Sequence, residues 1–94
     1  MSYYSDSDDE DWFPQPTSHP EIFTVYGKHT CPYCVKAVEL LEDNDIMHTF
    51  YDLNAFEDTS LLEEIVPSHH NTIPIIFKGD IFIGGYDDLD SLLF

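Results

Sequence analysis

The first regular pattern along the chain is IFTVY, Ile22–Tyr26, a short and nearly unbroken apolar run with β-branched members. Such a run predicts a strand covered on both faces, and Gly27 ends it. Further on the period changes. Cys34, Ala37, Val38 and Leu41 recur at helical spacing, with Lys36, Glu39, Glu42 and Asp43 mostly on the other side. This is an amphipathic helix. Pro32 suits its first turn, where the missing N–H would have had no intrahelical acceptor, and Asn44 and Asp45 supply a stop.

MHTFYDL, Met47–Leu53, predicts a second strand. SLLEEIV, Ser60–Val66, predicts a second helix, in which Ser60 and Glu63 have the spacing of a capping box and Pro67 closes the element. PIIFK and IFIGG then flank Gly79 and Asp80, a two-residue connection of the kind favoured in tight hairpins. Asp87 or Asp88 can cap a final short helix that holds Leu89, Leu92 and Leu93. The order β-α-β-α-β-β-α combines a parallel crossover with a terminal hairpin. An α/β, thioredoxin-like fold follows, with about three helices flanking a four-stranded mixed sheet.

Before residue 22 the periodicity is lost. Residues 1–21 hold six acidic side chains, no lysine or arginine, and Pro14, Pro16 and Pro20. That composition buries too little apolar surface to offset ordering the chain. An acidic, disordered tail is therefore expected over residues 1–20 and a folded domain over residues 21–94. Tyr3, Tyr4, Trp12 and Phe13 are the exception in the tail, since aromatics can dock on the domain or on a partner.

Charge narrows the function classes. The 94-residue chain has a formal net charge of −16. Residues 22–94 alone carry thirteen acidic side chains against Lys28, Lys36 and Lys78, with no arginine. Such a surface repels phosphate backbones and anionic membranes, so neither nucleic acid nor a membrane is expected as a partner, whereas a basic protein would be attracted. No apolar run approaches bilayer length, and the first residues lack the basic and hydrophobic parts of a secretory signal. A soluble, intracellular protein of the cytoplasm is expected.

Two of the three lysines lie in KHTCPYCVK, Lys28–Lys36, around the only two cysteines. Two cysteines at this spacing are too few for a secreted disulfide scaffold and suggest metal binding or redox exchange. With Cys31 at the helix N-cap, its sulfur faces the unpaired N–H groups of Tyr33 and Cys34, which favour an anion. Lys28 adds positive charge. Cys34, one turn further in, is shielded and keeps its proton. Cys31 is then the nucleophile and Cys34 the thiol that resolves the mixed disulfide. A zinc site is the rival explanation, because His29, His69 and His70 could join the cysteines. A proline-opened helix that directs Cys34 toward the core argues against it, and no metal is expected. His29 could tune the thiol or carry protons, His69 and His70 fit a helix end, and Tyr33 lies on the rim of the site.

CPYC followed by an amphipathic helix, then TIP (Thr72–Ile73–Pro74), then GGYDDL (Gly84–Leu89), resembles a dithiol glutaredoxin over residues 22–94. Thioredoxins usually carry Trp-Cys-Gly-Pro-Cys and lack the double glycine. The resemblance implies a glutathione-dependent oxidoreductase that reduces glutathione mixed disulfides and protein disulfides through Cys31 and Cys34. It implies that Pro74 is a cis-proline and that Ile73 offers its backbone to the cysteine of glutathione. Gly84 and Gly85 would let the backbone approach the ligand, Asp87 and Asp88 would meet its γ-glutamyl end, and Lys28 its glycyl carboxylate. Tyr33 matches the site's tyrosine. Glutathione is then the reducing co-substrate, with no tightly bound cofactor; the partners are glutathionylated or disulfide-containing proteins, and the protein works as a monomer.

One departure from the resemblance is SHHN at Ser68–Asn71, where many relatives place glutamine or a basic residue. A binding module, in which the acidic surface recognises a basic protein and the thiols are incidental, is the alternative function.

Overall fold

The computed structural model describes residues 14–56, 59–67, 70 and 72–94. Its layers follow from one strand. β1 (Phe23–Gly27) is buried along its whole length, and the alternation of a strand sends successive side chains to opposite faces. Phe23 and Val25 enter one apolar cluster with Ala37, Leu41, Ile76 and Leu89. Tyr26 enters a second with Leu62, Val66, Ile75 and Phe77.

β1 pairs in parallel with β2 (His48–Asp52) on one side and antiparallel with β3 (Ile75–Lys78) on the other. β3 forms a hairpin with β4 (Ile81–Gly84), giving the strand order β2-β1-β3-β4. α1 (Pro32–Asp43) and α3 (Tyr86–Leu93) supply the first cluster, and α2 (Ser60–Ile65) the second. The fold is the mixed four-stranded sheet with three helices that the sequence pattern predicts. A 3-10 turn, Leu53–Ala55, follows β2. Among the described residues, no helix is long and apolar enough to cross a membrane.

α1 forms because its apolar residues share one face and its start lacks nothing that proline would remove. Cys31 is the N-cap, Pro32 the first helical residue, and Cys34, Ala37 and Leu41 are buried. Complete burial of a leucine such as Leu41 contributes about 1.5–3 kcal/mol. The helix stops at Asn44, and Asp45 takes a left-handed φ of 57°.

Three expectations about ends differ from the structure. The N-cap of α2 is Thr59, so Ser60 is already the first helical residue and Glu63 lies one position beyond the reach of a capping box. α3 begins two residues earlier than an Asp87 cap allows and three earlier than an Asp88 cap. Gly85 is its N-cap, and Asp88 instead accepts a hydrogen bond from the Gly85 N–H at 3.0 Å. His70 lies past Pro67 and so does not terminate α2, which ends at Ile65.

The packed chain also reaches back beyond residue 21. The Tyr26 hydroxyl donates to the Pro14 carbonyl at 2.8 Å, and Pro14 is fully buried. Burial, with the neighbouring Tyr51, pushes the Tyr26 hydroxyl well above the usual tyrosine range, so it remains a donor. Lys78 Nζ donates to the Pro20 carbonyl at 3.0 Å. The Gly79 N–H donates to Ile22 O at 2.9 Å, and a Cβ on Gly79 would stand 2.9 Å from Pro20 Cα. The stretch 14–20, assigned by composition to the tail, thus lies against the β3–β4 turn and the sheet; residues 1–13, with the tail's aromatics, are outside the described residues.

Tyr26→Phe removes the donor and leaves a buried carbonyl short of a partner, so it should lower stability by about 1–2 kcal/mol. Equilibrium urea unfolding reads this as an earlier midpoint at unchanged slope. An unchanged midpoint would mean that the Pro14 contact adds nothing to the fold.

Candidate active site

The loop after β1 brings the two thiols to different environments. The Cys31 N–H donates to Lys28 O at 3.1 Å, and the Cys31 carbonyl accepts from Val35 N at 3.1 Å. This closes the turn that starts α1. Cys31 is partly exposed and Cys34 is buried, at 1% of its accessible surface, and both are free thiols. The Cys34 sulfur occupies the space that a side chain on Gly27 would need: a Cβ there would overlap it. β1 therefore ends in glycine because α1 packs its second cysteine against that backbone.

Their acidities separate accordingly. Burial works to raise the Cys31 thiol, but the N–H of Cys34, the Cys34 thiol, the N–H of Tyr33 and the charge of Lys28 together outweigh it and hold the pKa below the ordinary thiol range. The Cys31 side chain makes no capping hydrogen bond of its own. The helix end acts on the anion, as orphan N–H groups do. Cys34 is pushed up to about 11, first by burial, with hydrogen bonding to Cys31 and the charges of Cys31 and Asp52 in the same direction; the Lys28 N–H opposes them.

Beside Cys31 runs the segment before β3. The Ile73–Pro74 peptide bond is cis, and the Ile73 carbonyl lies 4.0 Å from Cys31 Sγ. Two clefts meet at Thr72 and Ile73. One, of about 600 Å³, is lined by Tyr33, Pro74, Gly85, Asp87 and Asp88. The other, of about 610 Å³, is lined by Lys28 and Phe56 among others. Of the eight nonthiol residues that the resemblance assigns to the site, Tyr33, Ile73, Pro74, Gly85, Asp87 and Asp88 line one cleft, Lys28 lines its neighbour, and Gly84 lines neither.

The two glycines play different parts. Gly84 has φ of 132°, and a Cβ there would run into the Asp88 carboxylate. Gly85 has an ordinary φ of −102°, and a Cβ would meet His70 and Pro74 only at 3.5–3.6 Å. Gly84 is required by conformation, whereas at Gly85 the missing side chain leaves the helix start open to the cleft.

Three residues have more to do here than sequence suggests. Tyr86 lies 5.9 Å from Tyr33, centroid to centroid, and lines the same cleft. Lys36, expected to run along the exposed side of α1, holds its ammonium 5.2 Å above the Tyr33 ring. His70, also on the cleft wall, packs its ring 5.1 Å from Phe82, and its Nε2 is buried without a hydrogen-bond partner among the described residues. The i, i+3 spacing of Tyr33 and Lys36 was the available signal for their contact; the position of His70 depends on tertiary packing and had none. Ser68, His69 and Asn71 are outside the described residues.

His29, on the other side of Cys34, holds Nε2 3.4 Å from Asp52 Oδ2 and its ring 4.9 Å from Phe50. Among the described residues, no three histidine, cysteine, aspartate or glutamate side chains come together in a way that could hold a metal ion.

Comparison with known proteins agrees with this geometry. The family model for glutaredoxin matches residues 23–83. Glutaredoxin 3 of Escherichia coli K12 is 38% identical over 69 residues, which take in 72% of this chain and 81% of that protein. The hybrid peroxiredoxin hyPrx5 of Haemophilus influenzae is 33% identical over 71 residues, 76% of this chain, which spans only 29% of its length. Reduced Escherichia coli glutaredoxin has the same fold, with a TM-score of 0.67 at 28% identity, over 77% of this chain and 92% of that one. The matched span runs from the first strand through both cysteines and the cis-proline into the hairpin, and the chain belongs to the glutaredoxin family.

Proposed function

We propose that the protein reduces glutathione mixed disulfides and protein disulfides, with Cys31 as nucleophile, Cys34 as resolving thiol and glutathione as reductant. Family and fold support thiol–disulfide exchange in general. The observation that carries the finer assignment is the unlike setting of the two thiols: Cys31 is open at a helix N-terminus beside the Ile73 carbonyl, and Cys34 is enclosed against Gly27.

In the first step the Cys31 thiolate attacks the glutathionyl sulfur of a mixed disulfide. A bond forms between Cys31 and glutathione, the old S–S bond breaks, and the substrate leaves as a thiolate that takes a proton from water. The thiolate of a second glutathione then attacks the bound glutathionyl sulfur, releasing glutathione disulfide and restoring the Cys31 thiolate. For a protein disulfide, Cys31 first joins one substrate sulfur. Cys34 then loses its proton and attacks Cys31, so that the substrate leaves reduced and the Cys31–Cys34 disulfide remains. Two glutathione molecules reopen that bond and depart as glutathione disulfide. A low-pKa thiolate is also a good leaving group, which helps each release from Cys31.

Glutathione is read as lying across the two clefts, with its cysteine beside Ile73 and Pro74, its γ-glutamyl end toward Gly85, Asp87 and Asp88, and its glycyl carboxylate toward Lys28; Tyr33 covers it from the α1 side. Each chain carries both thiols and both clefts, so exchange needs no second copy. The reductant places the activity in a compartment rich in reduced glutathione, which the cytoplasm is.

Cys31→Ser should abolish turnover of the mixed disulfide between glutathione and cysteine, whereas Cys34→Ser should retain it and lose reduction of an intramolecular protein disulfide. Equal loss of the first activity in both variants would show that the roles are wrongly assigned.

Lys28→Ala should move the Cys31 titration, followed by thiolate absorbance, to higher pH, because a positive charge that favours the thiolate has gone. The wild type already holds thiolate at pH values where an ordinary thiol is protonated. The variant should therefore fall furthest behind at about pH 6, with a gap that narrows above about pH 9 but does not close, because the glycyl carboxylate has lost its partner as well. Lys36→Ala should leave the titration in place. A Lys28→Ala curve that overlays the wild type would remove this lysine from the site's electrostatics.

A further inference from the structure

α1 has a second flank, turned away from the clefts beside Ile73. Between it and β2 runs a cleft of about 340 Å³ whose walls are Val35, Val38 and Phe50 and whose floor reaches Cys34. It shares Lys28 with the neighbouring cleft and no other residue with either of the two. Val35 is 41% exposed although apolar. At this size, near the lower end of the roughly 300–1,000 Å³ of small-molecule sites, the cleft suits one or two side chains of a docked segment.

The charge of the cleft is acidic along α1 and stands beside Lys28 and His29; His48 Nε2 lies 3.9 Å from Glu42. Glu39 and Glu42 line the cleft on the α1 side, and Glu42 is 62% exposed. Of the chain's three lysines, Lys36 lies over Tyr33 on the other flank and Lys78 is bonded to Pro20. Lys28 is left as the lysine of this cleft. β2 is moreover one of the two edge strands of the sheet, and an edge strand offers backbone groups to an extended chain.

We infer that this cleft is a docking groove for protein substrates, selecting a segment with an apolar side chain followed by lysine or arginine close to its disulfide. The inference rests on the dithiol reading given above and adds the substrate class. The apolar side chain sits on Val35, Val38 and Phe50, the cation lies against Glu39 and Glu42, and the segment carrying the disulfide continues past Lys28 and the start of α1 to reach Cys31, which does not line the groove itself. Charge complementarity of this kind sets partner choice and association rate more than raw affinity.

The test uses two synthetic cyclic disulfide peptides that differ only in their flank, Leu-Lys-Lys or Leu-Glu-Glu, and the glutathione–cysteine mixed disulfide as a substrate too small to use the groove. In the wild type the lysine peptide should be reduced about tenfold faster than the glutamate peptide at low salt. Glu39→Lys with Glu42→Lys should bring that ratio close to one, Glu39→Gln with Glu42→Gln should give an intermediate ratio, and all should keep normal turnover of the small substrate. Glu64→Lys with Asp80→Lys makes the same change in net charge elsewhere on the surface and should leave the ratio near that of the wild type. If the control pair collapses the ratio equally, or if the groove variants keep it, the docking groove is wrong. Loss of turnover of the small substrate by the wild type would instead overturn the oxidoreductase reading itself.

Discussion

The Cys34 sulfur rests against the backbone of Gly27, in space that no side chain could share, and this contact fixes how α1 meets the sheet. Once Cys34, Ala37 and Leu41 are buried on β1 and its neighbours, the residue one turn earlier has to emerge at the rim. Cys31 is partly exposed for the same reason that Cys34 is not. The opposed acidities of the two thiols are therefore consequences of helix packing: one sulfur meets the orphan N–H groups of the helix start, and the other is withdrawn from water.

The surface around that centre is divided by charge. A chain at −16 repels an anionic thiol such as glutathione, and Lys28 and Lys36 are the lysines that stand near the exchanging sulfurs. Lys36 is spent on the Tyr33 ring, on the flank facing Pro74 and Gly85. Lys28 sits at the junction of two clefts. The other flank of α1 presents Glu39 and Glu42, so under the proposed reading the two sides of one helix meet ligands of opposite sign. A small domain can thus keep a strongly acidic surface and still admit an anion at one place.

What could be read from the sequence was whatever local chemistry determines. The strand IFTVY, the helix opened by Pro32, the Gly79–Asp80 turn and the cis bond at Pro74, the last through family resemblance, all stand where the pattern puts them. Ends were less legible. The Ser60–Glu63 pair has the spacing of a capping box, but α2 starts one residue too early to use it. Residues 14–20 read as tail because proline-rich composition carries no period, yet the buried Pro14 carbonyl on Tyr26 and the Lys78 bond to Pro20 tie them to the sheet. His70 and Tyr86 reach the cleft only through the approach of distant segments, which no spacing rule reports.

The β3–β4 turn shows a different side of the same economy of space. A two-residue hairpin tip with Gly79 in a left-handed conformation is ordinarily a place where a chain tolerates lengthening. Here the tip is roofed by His19 and Pro20, tied to Ile22 through its own N–H, and flanked by the Lys78 bond to Pro20. An affinity tag or a fused peptide inserted at this hairpin would pry away the segment that precedes β1, and with it the shield over Tyr26. Grafting is better directed to the exposed end of α1 near Asn44, where the chain leaves the helix into solvent.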